Sequence, residues 1–152
     1  MSQTPLPERK TERLHLGRIS AVEAQYFVTL VTKARKPWLR SPEAARLTIE
    51  ILRAWHDEND GRVLAVIVMP DHVHVFFELG NKLSVGQCVG RWKSEVRGRM
   101  GYTEDWQRDF WEHRVRADVQ WEDYGLYIFL NPYRAGLIKR DETWPWWWAP
   151  DP

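Results

Sequence analysis

The 152-residue chain has one cysteine, Cys88. No disulfide can close within a single copy, which suits a reducing compartment. No apolar run approaches the roughly 20 residues a membrane-spanning helix needs. The opening "MSQTPLPERKTERLHLG" also lacks the apolar stretch of a signal peptide. No internal repeat and no linker-like stretch interrupts the chain. The sequence predicts a single soluble, cytoplasmic domain over residues 1–152, with the polar, proline-bearing residues 1–17 as a loose arm.

Net charge is nearly lacking too, at +1, and by itself it offers no argument for a polyanionic partner. The total hides a pattern. Residues 1–40 hold eight Lys/Arg against three Asp/Glu, and residues 81–116 hold eight against five. The stretches 41–80 and 117–152 are acidic, with three against seven and three against six. Either solvated charges fall in blocks, or the first and third blocks build one basic face suited to phosphates.

Tryptophan is abundant: ten in all, four of them in "WPWWW" at 144–148. "YFVTLVT" (26–32) reads as a strand. Ser41 as N-cap and Pro42 at the first helical position open a helix, with Leu47, Ile51, Ala54 and Trp55 as its apolar stripe. After the Asp60-Gly61 turn, "RVLAVIVM" (62–69) is a second strand. Pro70-Asp71 breaks it, and "HVHVFFEL" (72–79) returns beside it. Ser84 and Gln87 have capping-box spacing ahead of Val85, Val89, Trp92 and Val96, predicting a second helix over 83–100. "DFWEHRVR" (109–116) is a fourth strand. Asp118 would cap a last helix that Asn131-Pro132 stops. The order β-α-β-β-α-β plus a helix predicts an α+β, ferredoxin-like antiparallel sheet.

Alternation along 72–79 puts His72, His74, Phe76 and Glu78 on one face and Val73, Val75, Phe77 and Leu79 on the other. The all-apolar set belongs under the helices. The histidines, with Cα atoms about 7 Å apart, can then converge on one divalent ion on the opposite face, although a satisfied polar niche in a core would also accommodate them. A metal-dependent hydrolase, an RNA-recognition-like binding module and a metal-assisted nuclease or strand transferase all remain open at this point. On the last helix, Tyr127 and Asn131 share a face one turn apart, and Tyr124 is about a sixth of a turn away. These tyrosines could equally complete an apolar face with Trp121 and Ile128.

The joint occurrence of "MPDHVHVFFE", "LSVGQCVGRWKS", "WQRDFWEHRVR" and "YGLYIFLNPYRAG" resembles the HUH (His-hydrophobic-His) single-tyrosine transposases. More narrowly, it is similar to the REP-associated tyrosine transposases, relatives of the IS200/IS605 enzymes. The resemblance runs from about residue 14 to about residue 148. It implies a metal-dependent single-strand DNA endonuclease and strand transferase, nucleoid-associated, acting as a monomer or homodimer on single strands beside hairpin (REP-like, palindromic) elements. Cleavage would pass through a 5′-phosphotyrosine link. Carried over by position, His72 and His74 would be metal ligands with Asn131 as a third, and Tyr127 the nucleophile. The cofactor would be Mg²⁺ or Mn²⁺, and two imidazoles tilt the choice towards Mn²⁺. A free tyrosine titrates at about 10, so a cation or base must help release its proton. Lys93 and Arg97 on the second helix, and Arg114 and Arg116 on the fourth strand, are candidate phosphate contacts, ordinary solvated charge being the competing reading. Glu112 and His113 are candidates for site support. The tail departs from the usual Trp-Pro-x-Ser-Ser of relatives. A domesticated, non-catalytic module that binds single-stranded nucleic acid is the alternative.

Overall fold

A computed structural model describes residues 8–10, 24–58, 61–115 and 121–151. Strand β1 (Glu8–Lys10) and strand β2 (Gln25–Thr32) come first, followed by helix α1 (Pro42–Asp57). Strands β3 (Gly61–Met69) and β4 (His72–Leu79) form a hairpin before helix α2 (Val85–Arg99). Strand β5 (Trp106–Val115), helix α3 (Trp121–Arg134) and the short β6 (Trp147–Trp148) complete the chain. The sheet order is β1-β5-β2-β4-β3-β6, with every neighbouring pair antiparallel. Its inner four strands put the first and third strands of the β-α-β-β-α-β unit at the centre, the expected ferredoxin-like arrangement.

Local signals account for the boundaries. The Ser41 side chain accepts from the Ala44 N–H at the start of α1, with Pro42 in the first turn. Ser84 and Gln87 cap each other at the start of α2 as a reciprocal box. Gly61 begins β3 with φ +147°, where a Cβ would come within 2.6 Å of the Trp55 ring and 2.7 Å of the Glu78 carbonyl. Only glycine fits there.

Helices α1 and α2 cover one sheet face. Val73, Val75, Phe77 and Leu79 of β4 pack there with Val28 and Leu30 of β2, against Ile51, Leu52 and Trp55 of α1 and Val89, Trp92 and Val96 of α2. Trp55, Trp92 and Phe77 meet edge to face at centroid separations of 5.0–5.9 Å. Such pairs add about 0.5–1.5 kcal/mol each beyond the area they bury. On the opposite face, Tyr124 and Ile128 of α3 close over Phe27, Ile67, Met69 and Phe76.

Several boundaries differ from the sequence-based expectation. Asn131-Pro132 does not stop α3, which runs on to Arg134 with Pro132 inside it. Pro132 lacks the N–H that would bond the Ile128 carbonyl, and the helix carries that loss into its last turn. The stop comes at Gly136 (φ +72°): Gly136 N–H bonds to the Tyr133 carbonyl and Leu137 N–H to the Pro132 carbonyl, a Schellman C-cap. Strand β5 begins at Trp106 instead of residue 109. Within the segment read as a loose arm, residues 8–10 pair with β5 as an edge strand. Asp118, expected to cap α3, lies outside the described residues. The tryptophan-rich tail pairs along β3, Ile67 opposite Trp147 and Val66 opposite Trp148. The Trp144 indole N–H also donates to the Val68 carbonyl at 3.1 Å. The tail thereby covers a sheet edge that would otherwise offer unpaired backbone groups.

Candidate active site

Register decides what the histidines face. His74 stands opposite Thr29 and His72 opposite Val31 across β4 and β2, on the side away from α1 and α2. The two imidazoles lie with ring centroids 4.7 Å apart. Tyr127 of α3 approaches from above, its ring 5.8 Å from that of His74 and 5.7 Å from that of Phe27. Together with Asn131, Arg35, Thr29, Val31 and Trp111 these side chains line an open pocket of about 330 Å³. The four residues picked out by spacing, His72, His74, Tyr127 and Asn131, are therefore brought together.

Each histidine is held through Nδ1. His72 Nδ1 lies 2.6 Å from Asp71 Oδ1, and His74 Nδ1 lies 2.8 Å from the Thr29 hydroxyl. With Nδ1–H donating in both rings, both Nε2 lone pairs remain for a ligand, the usual arrangement behind a metal-binding histidine. Burial, and then the neighbouring His72, hold the His74 imidazole well below its ordinary pKa. Burial likewise lowers His72 and, with a smaller contribution from Arg35, outweighs the hydrogen bond and charge of Asp71. Both rings are thus kept neutral, the form that coordinates a metal. Burial alone would raise Asp71, but hydrogen bonds and charge from His72 and Arg35 lower it overall. Among the described residues no group of three or more His, Cys, Asp or Glu converges. Two imidazoles plus the Asn131 amide oxygen are the donor set that fits a divalent ion.

The turn carrying Asp71 is tightly fixed. Thr32 N–H and Oγ1 both donate to the Asp71 carbonyl at 3.0 and 3.1 Å, and Leu39 N–H donates to the Pro70 carbonyl at 3.1 Å. Arg35 Nη1 reaches Asp71 Oδ2 at 3.2 Å. It does so from a left-handed backbone, φ +52°, next to Ala34 at φ +54°. That conformation costs about 1–2 kcal/mol per non-glycine residue.

Tyr124 has a different fate from Tyr127. It is 1% exposed, stacked on Phe76 at 5.5 Å, and its hydroxyl has no hydrogen-bond partner among the described residues. Burial, then the Asp123 charge, raises its pKa.

Other candidate residues are placed elsewhere. Glu112 is opposite Val28 and 3% exposed, on the face covered by α1 and α2. It does not support the pocket, because β5 alternation turns it away from the histidines. Arg114, two residues on, stands opposite Tyr26 on that same side. His113 lies on the pocket's side of the sheet but stacks on Tyr124 at 6.1 Å, outside the pocket lining. Lys93 is turned inward: its ammonium donates to the Gln107 and Asp109 carbonyls at 2.8 and 3.1 Å. Arg97 is exposed, near Asp105 and over the Tyr102 ring. Arg116 lies outside the described residues.

The sequence reading gave no role to Thr29, Arg35 or Trp111, and none to Arg134 beyond its place in the quoted "YGLYIFLNPYRAG". Arg134 places its guanidinium 5.5 Å from the Tyr127 ring centroid, two turns along the same helix face as Tyr127 and Asn131. The 127/131/134 spacing is the signal that places it on the face of Tyr127. For Thr29 and Trp111 the signal is the pairing register, which no single strand reveals.

The model of the IS200-like transposase family matches residues 20–120. The chain belongs to that family. A curated relative is the REP-associated tyrosine transposase of Escherichia coli K12, 26% identical over 123 residues, or 79% of this chain and 73% of that protein. Among solved structures, that of a REP-associated tyrosine transposase bound to a REP hairpin aligns with a TM-score of 0.68 and 23% identity, over 86% of this chain and 79% of that one. For this IS200-like transposase the alignment establishes the shared fold. No helix among its described residues is long and apolar enough to cross a membrane.

Proposed function

We propose that this IS200-like transposase is a metal-dependent endonuclease and strand transferase that acts on single-stranded DNA beside hairpins of the REP type. The observation that carries the reading is the pocket in which the Tyr127 ring, the Asn131 amide and two Nδ1-anchored imidazoles meet. His72, His74 and Asn131 would hold the ion. When bound, it would supply a Lewis acid that offsets the negative charge of the scissile phosphate.

The protein's own side chains do the rest. Tyr127 Oη would attack phosphorus as the bond to the 3′ oxygen breaks, leaving a 5′-phosphotyrosine link and a 3′-hydroxyl that has taken up a proton. The bond energy stays in the tyrosyl ester, so a later 3′-hydroxyl can reverse the step without ATP. Arg134 beside the Tyr127 ring would place positive charge near the phosphate oxygens. Trp111, 37% exposed on the pocket wall, offers a face on which an unpaired base can stack. The REP preference follows the names of the E. coli relative and of the hairpin-bound structure.

The test is a labelled hairpin-flanked single strand incubated with protein and Mn²⁺, then run on a denaturing gel. A protein-linked band that EDTA abolishes supports the reading. Binding without any such band, at every metal tried, would leave a non-catalytic binding module instead.

A further inference from the structure

Immediately beside the candidate active site, the loop after β2 has a second side. Arg35 points to Asp71 and lines the pocket with the histidines. Lys33 and Lys36, flanking it, line a separate pocket of about 290 Å³ together with Arg97, Tyr102, Thr103 and the carboxylates of Glu104 and Asp105. The loop is tied to the base of β5, Lys33 N–H donating to the Asp105 carbonyl at 3.0 Å. The two pockets therefore share one fixed wall, residues 33–36, at the same end of the sheet.

This second pocket has features that ordinary surface charge does not require. Tyr102 is 70% exposed and held in a left-handed conformation, φ +59°, beside Gly101 at φ +70°. The Arg97 guanidinium lies 5.5 Å from its ring centroid and 3.6 Å from Asp105. That leaves an aromatic face braced by a cation. Neither Lys33 nor Lys36 has an ion pair or a side-chain hydrogen bond among the described residues. Two uncommitted ammonium groups beside a braced aromatic ring match a phosphate and the base attached to it.

The geometry points to a subsite for one unpaired nucleotide of the DNA strand whose neighbouring phosphate lies at His72 and His74, the base against Tyr102 and the phosphate between Lys33 and Lys36. This rests on the proposed single-strand reaction and names where that strand continues. The backbone strain at Ala34 and Arg35 then has a use: it sends Arg35 to one pocket and leaves Lys33 and Lys36 for the other.

The experiment measures affinity by fluorescence anisotropy for a hairpin oligonucleotide whose unpaired flank is lengthened one nucleotide at a time. The wild-type chain, the double variant Lys33→Ala/Lys36→Ala and Tyr102→Ala are compared, with thermal melting to confirm folding. Wild-type affinity should step up once the flank reaches the subsite. The double variant should lose about tenfold on long flanks and little on the bare hairpin, with the salt slope falling by about 0.7, as for one single-strand phosphate contact. Tyr102→Ala should lose at least about fivefold, again only on long flanks. Losses equal on bare and flanked hairpins, or no loss at all, would overturn the subsite. Absence of any flank-dependent step in the wild type would overturn it too, while protein-linked bands on the denaturing gel still upheld the reaction. If the wild type binds no DNA, both fall.

Discussion

The Thr29 hydroxyl lies 2.8 Å from His74 Nδ1, across the pairing of β2 with β4. In a neutral ring that holds its proton on Nδ1, this contact turns the Nε2 lone pair towards the pocket. Thr29→Val keeps the shape and removes the acceptor. Metal affinity should fall about 10- to 100-fold, read by titration calorimetry with Mn²⁺, while the fold persists. Unchanged affinity would mean that Thr29 does not set the His74 tautomer.

Acid should weaken the metal-free protein through the same pair. His72 and His74 both titrate below the ordinary value of 6.5 in the folded chain. As pH drops below about 6.5, the unfolded chain takes up protons that the native rings refuse, and stability falls. The contribution is intact above that pH and lost progressively beneath it. Denaturant titrations in EDTA at pH 7.5 and 5.5 measure it. The double variant His72→Gln/His74→Gln should show a shallower drop, and an identical drop would place the titrating groups elsewhere.

How much of this was legible beforehand depends on the range of the signal. Period-two alternation at 72–79 separated the histidines from the core valines correctly, because a strand's two faces are a local property. Capping at Ser41 and Ser84 was legible for the same reason. The faces that Glu112 and Arg114 take were not legible because β5 is charged on both faces, so its alternation carries no hydrophobic label. The Pro132 stop was misjudged because the feature that ends the helix is the Schellman turn at Gly136, four residues further on. The pocket's supporting groups, Thr29, Arg35 and Trp111, depend on strand register and a left-handed loop, which only the assembled sheet specifies.

The two tyrosines of α3 should separate cleanly. Tyr127 faces the pocket and Tyr124 is sealed against Phe76. Tyr127→Phe removes only the hydroxyl, so it should bind DNA normally and form no covalent adduct. Tyr124→Phe deletes a buried hydroxyl that has no partner among the described residues, so it should keep the adduct and melt no lower than wild type, gaining up to about 1 kcal/mol. An adduct that survives in Tyr127→Phe and vanishes in Tyr124→Phe would reverse the assignment.

Lys93 provides a prediction of a different kind. Burial lowers its pKa from 10.5 to about 8, although Asp109 and Asp105 pull the other way. Its ammonium is engaged by two β5 carbonyls and lies near the Phe110 ring, so it should not contact phosphate. Lys93→Met should therefore leave single-strand affinity unchanged within about twofold. The sign of the pH effect follows from proton counts. Between pH 8 and 10.5 the unfolded chain still holds the Lys93 proton while the native chain has released it, so wild-type stability rises through that window. Lys93→Met cannot show this rise. Chemical denaturation of both proteins at pH 7 and pH 10 isolates the effect, because every other titrating group is shared. Wild type should gain on the variant at the higher pH. A difference that stays flat would mean the ammonium is well solvated, and Lys93 would then return as a candidate phosphate contact.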